Sequence, residues 1–199
     1  MTTNRIFLPA VISLVFLTIL CFLPVPLMMN AAKYAQVGRE ILINNDWVNL
    51  TIGGVPYEQK PPMLFWVAAI CFSLFGVSVP AYKISVILIS LLGVYSTFRL
   101  AKLFYGHEVG MLAATFWITS LGFLHFHNDI HTDTMLAAFV VFSVWQFMTY
   151  FSQRKWFHFL LGVIGIGISM LTKGPVGMVI PAFAVGANLF LHKQWRDIF

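Results

Sequence analysis

Pro62-Met63-Leu64-Phe65-Trp66-Val67-Ala68-Ala69-Ile70-Cys71-Phe72-Ser73-Leu74-Phe75-Gly76-Val77 is the stretch on which the threading of this chain turns. Its strongest apolar part, Met63 to Phe75, is 13 residues long. A membrane crossing takes about 20 apolar residues, so this length suits an interfacial or re-entrant helix better. On either side lie the apolar runs Ile6–Leu23, Ala81–Phe98, Val109–His125, Thr134–Phe151, Phe157–Leu171 and Val176–Leu191. If Pro62–Val77 does not cross, Arg5, Arg99, Lys102, Arg154, Lys155, Lys193 and Arg196 all fall on one face, which is cytoplasmic by the positive-inside rule. If it crosses, Arg5 parts from the other six and the asymmetry is carried by the opposite side. Segment length and charge clustering both favour the first arrangement. The expected fold is therefore all-α and polytopic, with about six transmembrane helices, a cytoplasmic N-terminus and two interfacial helices on the outer face.

Composition supports that class. Of 199 residues, 59% are hydrophobic and 10% charged, and the mean hydropathy is +0.85. Soluble domains carry about 25% charged residues, so a soluble globular domain is excluded. The net charge of +5 is scattered between apolar runs, which points to topology and to no nucleic-acid partner. Cys21 and Cys71 lie in apolar stretches without CxxC spacing and read as buried thiols. Met1–Arg5 followed by Ile6–Leu23 lacks a small-x-small cleavage site and reads as an uncleaved anchor.

On this threading the outer face receives the loop Val25–Pro61, the stretch Phe126–Asp133 and the turn Thr172-Lys173-Gly174-Pro175. Asn30–Asn45 reads as an amphipathic surface helix, with Ala31, Tyr34, Val37 and Ile41 at helical spacing and Asn30 at the N-cap. His125-Phe126-His127-Asn128-Asp129-Ile130-His131-Thr132-Asp133 packs three histidines and two carboxylates into nine residues at the end of a span. Ionisable residues at membrane depth or its edge are functional candidates by default. Asp129 and Asp133, at i and i+4, would share a helix face and could hold a divalent cation. The plainer alternative is a solvated loop in which Thr132 or Asp133 caps the next helix. His127 and His131 are the weaker metal-ligand candidates, because their spacing fits no fixed ligand pattern.

Two lysines stand out. The double proline after Lys60 disfavours helix before it, leaving Lys60 extended, where it either meets a phosphate as a point charge or snorkels to lipid headgroups. Lys173 puts a cation on the outer face, where the positive-inside rule disfavours one, and no GxxxxGK spacing makes it a P-loop. Gly162, Gly165 and Gly167 lie inside a span and read as close helix packing rather than a dinucleotide loop. Asn49-Leu50-Thr51 matches a glycosylation sequon, a weak signal.

Taken in order, several short motifs carry a family resemblance. They are Asn30-Ala31-Ala32-Lys33-Tyr34-Ala35, Gly38-Arg39-Glu40-Ile41-Leu42, Asp46-Trp47 and Gly54-Val55-Pro56-Tyr57, then Lys60-Pro61-Pro62-Met63-Leu64-Phe65-Trp66, Leu74-Phe75-Gly76-Val77, Asp133-Thr134-Met135-Leu136 and Leu171-Thr172-Lys173-Gly174-Pro175. In this order and spacing the chain resembles the N-terminal membrane module of C-type glycosyltransferases that use polyprenyl-phosphate sugars. Those are the protein O-mannosyltransferases and the lipid A aminoarabinose transferases, and the wording from Asn128 to Leu136 is most similar to bacterial members of the Bacteroidetes type. The resemblance spans nearly the whole chain as one membrane domain, residues 1–199, and implies further spans and an outer domain beyond it.

It also implies a function. A sugar would pass from a polyprenyl-phosphate carrier to a lipid, glycan or protein acceptor at the periplasmic face of a bacterial inner membrane. Membrane lipids would be the surroundings, and a divalent cation a possible cofactor. Asp133, Asp129 and Asn30 become the candidate catalytic positions; Lys60, Lys33, Tyr57 and Lys173 the candidate substrate contacts. One departure is plain: the family's first-loop acid falls at Asn30 and its next at Ala31, and no Asp or Glu occurs from Met1 to Arg39. An amide cannot act as a base, though it can orient a substrate or ligate a metal. Two other readings stay open. One is a non-catalytic relative that binds the carrier or a partner, favoured by Asn30; the other is a small transporter, disfavoured because the charges sit at span ends.

Overall fold

The computed structural model describes residues 13, 16–17, 20–21, 23, 25–120, 122–123 and 130–191. Seven helices and one short hairpin are built from them: α1 (Met29–Asn44), β1 (Thr51–Ile52), β2 (Val55–Pro56), α2 (Met63–Phe75), α3 (Val79–Tyr105), α4 (His107–Thr119), α5 (Thr132–Gln153), α6 (Trp156–Lys173) and α7 (Val176–Leu191). Among the described residues, α3, α5 and α6 are long and apolar enough to cross a membrane, while α2 and α7 are shorter apolar helices. The apolar run Ile6–Leu23 lies largely outside the described residues. Cys71 is buried, as its apolar context implies, but Cys21 is exposed. An apolar context in a membrane protein also describes a lipid-facing side chain, which is why that expectation failed at Cys21.

The membrane bundle is α3, α5 and α6, with α4 against α3 and α7 against α5 and α6. Small side chains let these helices approach. A Cβ on Gly93 of α3 would stand 3.0 Å from that of Ala138 on α5. On α6, a Cβ at Gly162 would run 2.8 Å from the Phe147 ring, and one at Gly165 would collide with Ser143 Oγ. Gly167 faces open space, so only two of the three α6 glycines serve packing. Helix α3 starts where its sequence says it should: Ser78 Oγ accepts from Ala81 N at 3.3 Å, with proline inside the first turn.

Helix α1 lies over α2. Its buried residues Ala31, Tyr34, Val37 and Ile41 are those the periodicity selects. They pack with Leu64, Phe65, Ala68 and Phe72 of α2, Tyr82 and Val86 of α3, and Ile130 and Met135 near the start of α5. Gly38 makes the crossing possible, since a Cβ there would lie 2.8 Å from Ala68 Cβ. The N-cap of α1 is Met28, without a side-chain cap bond, and Asn30 sits one residue inside the helix. The expected Asn30 cap therefore does not form.

Among the described residues, the hairpin is the feature that an all-α reading leaves out. Thr51 pairs with Pro56 and Ile52 with Val55, antiparallel. The turn is Gly53-Gly54, whose φ values of +61° and +78° only glycine adopts readily. Trp66 Nε1 donates to Trp47 O at 2.7 Å, tying α2 to the loop that precedes the hairpin.

Candidate functional site

Asp133 enters the site from the first turn of α5, and Lys173 from the last turn of α6. The two helices are antiparallel neighbours, so one begins where the other ends. Lys173 Nζ donates to Asp133 Oδ1 in a direct ion pair. Neither Thr132 nor Asp133 caps α5: the N-cap is His131, with no side-chain cap bond. Asp133 is thus engaged with a cation from another helix, and favoured also by the positive end of its own. Lys173 and Asp133 remain 35% and 40% exposed, so each can still meet a ligand.

Asp133 also lies at the rim of a groove of about 700 Å³. The walls are Ala113, Phe116 and Trp117 of α4, Leu136, Ala137, Val140 and Val141 of α5, and Ile180 of α7, with Ser120, Phe123 and Thr134 also in the lining. Thr134 Oγ1 is buried with no hydrogen-bond partner among the described residues. An apolar trough that ends at a carboxylate–ammonium pair suits an amphiphile with a long hydrocarbon part and a charged head.

A second group of candidates gathers beneath α1. Lys33 Nζ donates to Gln59 Oε1 at 2.9 Å and stands 5.3 Å above the Tyr57 ring. Tyr57 meets Phe65 edge-on at 5.4 Å; Tyr34 packs on Phe65 at 5.8 Å and on His131 at 6.3 Å. His131 directly precedes α5, so this aromatic chain joins Lys33 to the Asp133 end of the bundle. Tyr57 Oη is buried and unpartnered among the described residues. Burial chiefly, with Tyr34 close by, pushes its phenol above the usual range.

Among the remaining candidates, Asn30 is exposed on the first turn of α1, and Lys60 is half-buried in a bend after Gln59. Asp129 and His127 lie outside the described residues. No three metal-ligating side chains converge among the described residues, and His131 packs against Tyr34 instead. Gln59, Tyr34 and Thr134 join the site without having been singled out. Tyr34 alone carried a signal, as part of the helical stripe.

Glu40 was also missed, and it organises the roof. Its carboxylate accepts from Gln36 Nε2 at 2.9 Å, Thr51 Oγ1 at 2.7 Å and the amides of Gly53 and Gly54 at 2.6 and 3.4 Å. Burial alone would push this carboxyl up; the hydrogen bonds from Thr51, Gln36, Gly53 and Gly54 outweigh it and hold the value at about 2. Glu40 thereby pins the hairpin, and with it the strand leading to Tyr57, onto α1.

Residues 59–199 match the family model of dolichyl-phosphate-mannose-protein mannosyltransferases. The chain belongs to this glycosyltransferase family. Similar sequences agree. An uncharacterized protein of Aquifex aeolicus is 29% identical over 170 residues, covering 83% of this chain and 33% of the relative. The undecaprenyl phosphate-alpha-4-amino-4-deoxy-L-arabinose arabinosyl transferase of Edwardsiella ictaluri is 27% identical over 176 residues, covering 85% and 32%. This mannosyltransferase-family chain therefore spans about a third of the length of the curated relatives it matches. The fold is also that of ArnT from Cupriavidus metallidurans, whose apo crystal structure superimposes with a TM-score of 0.82 at 19% identity, over 98% of this chain and 37% of that one. The same protein bound to undecaprenyl phosphate gives 0.78 at 20% identity, covering 98% and 36%. These likenesses establish a polytopic helical membrane fold of the ArnT kind.

Proposed function

We propose that this chain forms the donor-binding part of a membrane glycosyltransferase that moves a sugar from a polyprenyl-phosphate carrier to an acceptor at the outer face of a bacterial inner membrane. The observation that carries the reading is the Asp133–Lys173 pair at the rim of the apolar groove. The prenyl tail, already in the bilayer, lies in the groove and is held there by van der Waals packing against its apolar walls. Lys173 meets the carrier phosphate, and Lys33 and Lys60 supply further positive charge from the α1 side. Asp133, released from Lys173 as the phosphate arrives, accepts the proton of the acceptor hydroxyl. Tyr57, with an unused buried hydroxyl, hydrogen-bonds the donor. The names of the Edwardsiella relative and of the undecaprenyl phosphate-bound ArnT structure support this donor class.

Asn30 cannot serve as a base, so on this reading it orients the donor or offers its carbonyl to a divalent cation. The test is sugar transfer by the full reading frame from a polyprenyl-phosphate-linked donor, with and without chelator. Asp133→Asn should lower turnover at least about tenfold, the lower range of what a positioned acid or base supplies. Unchanged turnover would reduce Asp133 to a partner for Lys173. Asn30→Asp should raise transfer when a divalent cation is supplied, because a new carboxylate beside a phosphate costs Coulomb energy unless it is compensated. A correctly folded, complete protein with no transfer in either form would favour the non-catalytic, carrier-binding alternative.

A further inference from the structure

The end of the bundle away from Asp133 and Lys173 carries a different kind of surface. Helices α3 and α5 run side by side in the same direction, with Gly93 against Ala138 and Tyr95 against Trp145. Their C-terminal ends therefore meet the start of α6. Arg99 is fixed there: its guanidinium carbon lies 5.0 Å from the Trp145 ring centre and 5.6 Å from that of Tyr95, and Nη1 donates to Tyr95 Oη at 2.6 Å. From α6, His158 Nδ1 meets the buried Gln146 Oε1 at 2.7 Å, and His158 lies within electrostatic reach of both Arg99 and Lys155. Arg99 of α3 and Lys155 of the α5–α6 turn thus gather around His158 of α6.

Neither Arg99 nor Lys155 pairs with a carboxylate among the described residues. The described carboxylate at this end is Glu108, in the first turn of α4. Helix α6 opens with Lys155 as its N-cap, without a side-chain cap bond or an acidic residue in its first turn, so its positive end adds to the cluster. Trp156 and Phe157 are 66% and 65% exposed beside it. Exposed rings next to basic side chains at the end of a span mark headgroup depth, where such rings anchor.

We propose that Arg99, Lys155 and His158 form a docking site for the phosphate headgroup of an anionic phospholipid. Arg99 presents its planar fork to two phosphate oxygens, held in place by the rings behind it. Lys155 adds a second charge, and Trp156 and Phe157 rest against the acyl chains of the same lipid. The α6 amides complete an anion cradle. This site is separate from the donor site and stands whether or not the chain transfers sugar. A soluble phosphate would find the same cations but would leave the two exposed rings without a function, which is why a lipid is the occupant.

The experiment is native mass spectrometry of the full chain released from micelles with equal amounts of phosphatidylglycerol and phosphatidylcholine. Wild type should retain phosphatidylglycerol in preference. A cation in direct contact with an anionic headgroup is worth about a fivefold change in affinity for that lipid. Lys155→Gln, at an exposed position, and Arg99→Gln should each lower the preference by about that factor. Arg99→Lys keeps the charge without the fork and should fall between. Lys102, whose ammonium stands 5.6 Å over Phe98 on the α4 side, is the control, and Lys102→Gln should retain the preference. Helical circular dichroism checks each fold, and Lys155→Gln alone decides if Arg99→Gln fails to fold. No preference in wild type, or an equal loss in Lys102→Gln, would overturn the proposal. So would full displacement of the lipid by millimolar inorganic phosphate.

Discussion

Replacing Glu40 by Gln should unfasten the hairpin from α1 and leave the membrane bundle standing. Glu40 is 7% exposed and accepts four hydrogen bonds, two of them from the turn amides of Gly53 and Gly54. Its carboxyl is held at about 2 against an ordinary 4.5. A difference of that size corresponds to roughly 3 kcal/mol favouring the ionised form in the folded chain, and about 2 kcal/mol once solvent screening near the surface is allowed for. Glutamine keeps the shape but loses the charge, and its amide turns a donor toward donors. Local opening of the hairpin should therefore become roughly 30-fold more frequent, since 1.4 kcal/mol is a factor of ten. Amide exchange at Gly53 and Gly54 measures it directly. The sign with pH follows from the depressed value. The stabilisation is complete above pH 4.5 and is lost as pH falls toward about 2. Wild-type protection, corrected for intrinsic exchange, should hold down to that upper limit and then approach that of Glu40→Gln. Unchanged exchange at both glycines in Glu40→Gln would refute the reasoning.

Other consequences follow from close contacts. Gly38→Leu should separate α1 from α2 at a cost of about 1–3 kcal/mol, seen as faster proteolysis around residues 45–49 with the spans intact. Gly165→Ala should lower thermal stability by forcing α6 away from Ser143, whereas Gly167→Ala, with open space at that position, should not. Tyr57→Phe removes a buried hydroxyl without a partner among the described residues, so stability should hold or rise. Donor affinity should fall if that hydroxyl meets the donor, and isothermal titration with a polyprenyl-phosphate sugar reads both outcomes against melting curves.

The helices were legible because their signals are local. The stripe Ala31, Tyr34, Val37, Ile41 selected the buried face of α1, and the 13-residue run Met63–Phe75 gave α2 to the residue. Asn30 misled as a cap because the chain enters α1 earlier, with Met28 in extended backbone and Asn30 already helical. The site was legible only as separate residues. Asp133 and Lys173 each stood out, yet nothing local says that residues 40 positions apart pair, since the pairing comes from α5 and α6 running antiparallel. Glu40 was invisible for the same reason. Three of its four partners lie 11 to 14 residues away on a Gly-Gly hairpin that hydrophobic periodicity does not report.

The central claim is that Lys173, at the charged rim of the apolar groove, receives the carrier phosphate while Asp133 does the chemistry. Because the pair is partly exposed, it contributes only about 0–1 kcal/mol to stability, and its variants should fold. The measurement is the affinity of the purified full-length protein for undecaprenyl phosphate, with unphosphorylated polyprenol as competitor. Lys173→Met should bind the carrier at least about tenfold more weakly, the loss of one charge-assisted contact. Asp133→Asn should bind it as well as wild type or better, because Lys173 loses a competing partner. Polyprenol should not displace it. Equal affinity in wild type and Lys173→Met would contradict the account.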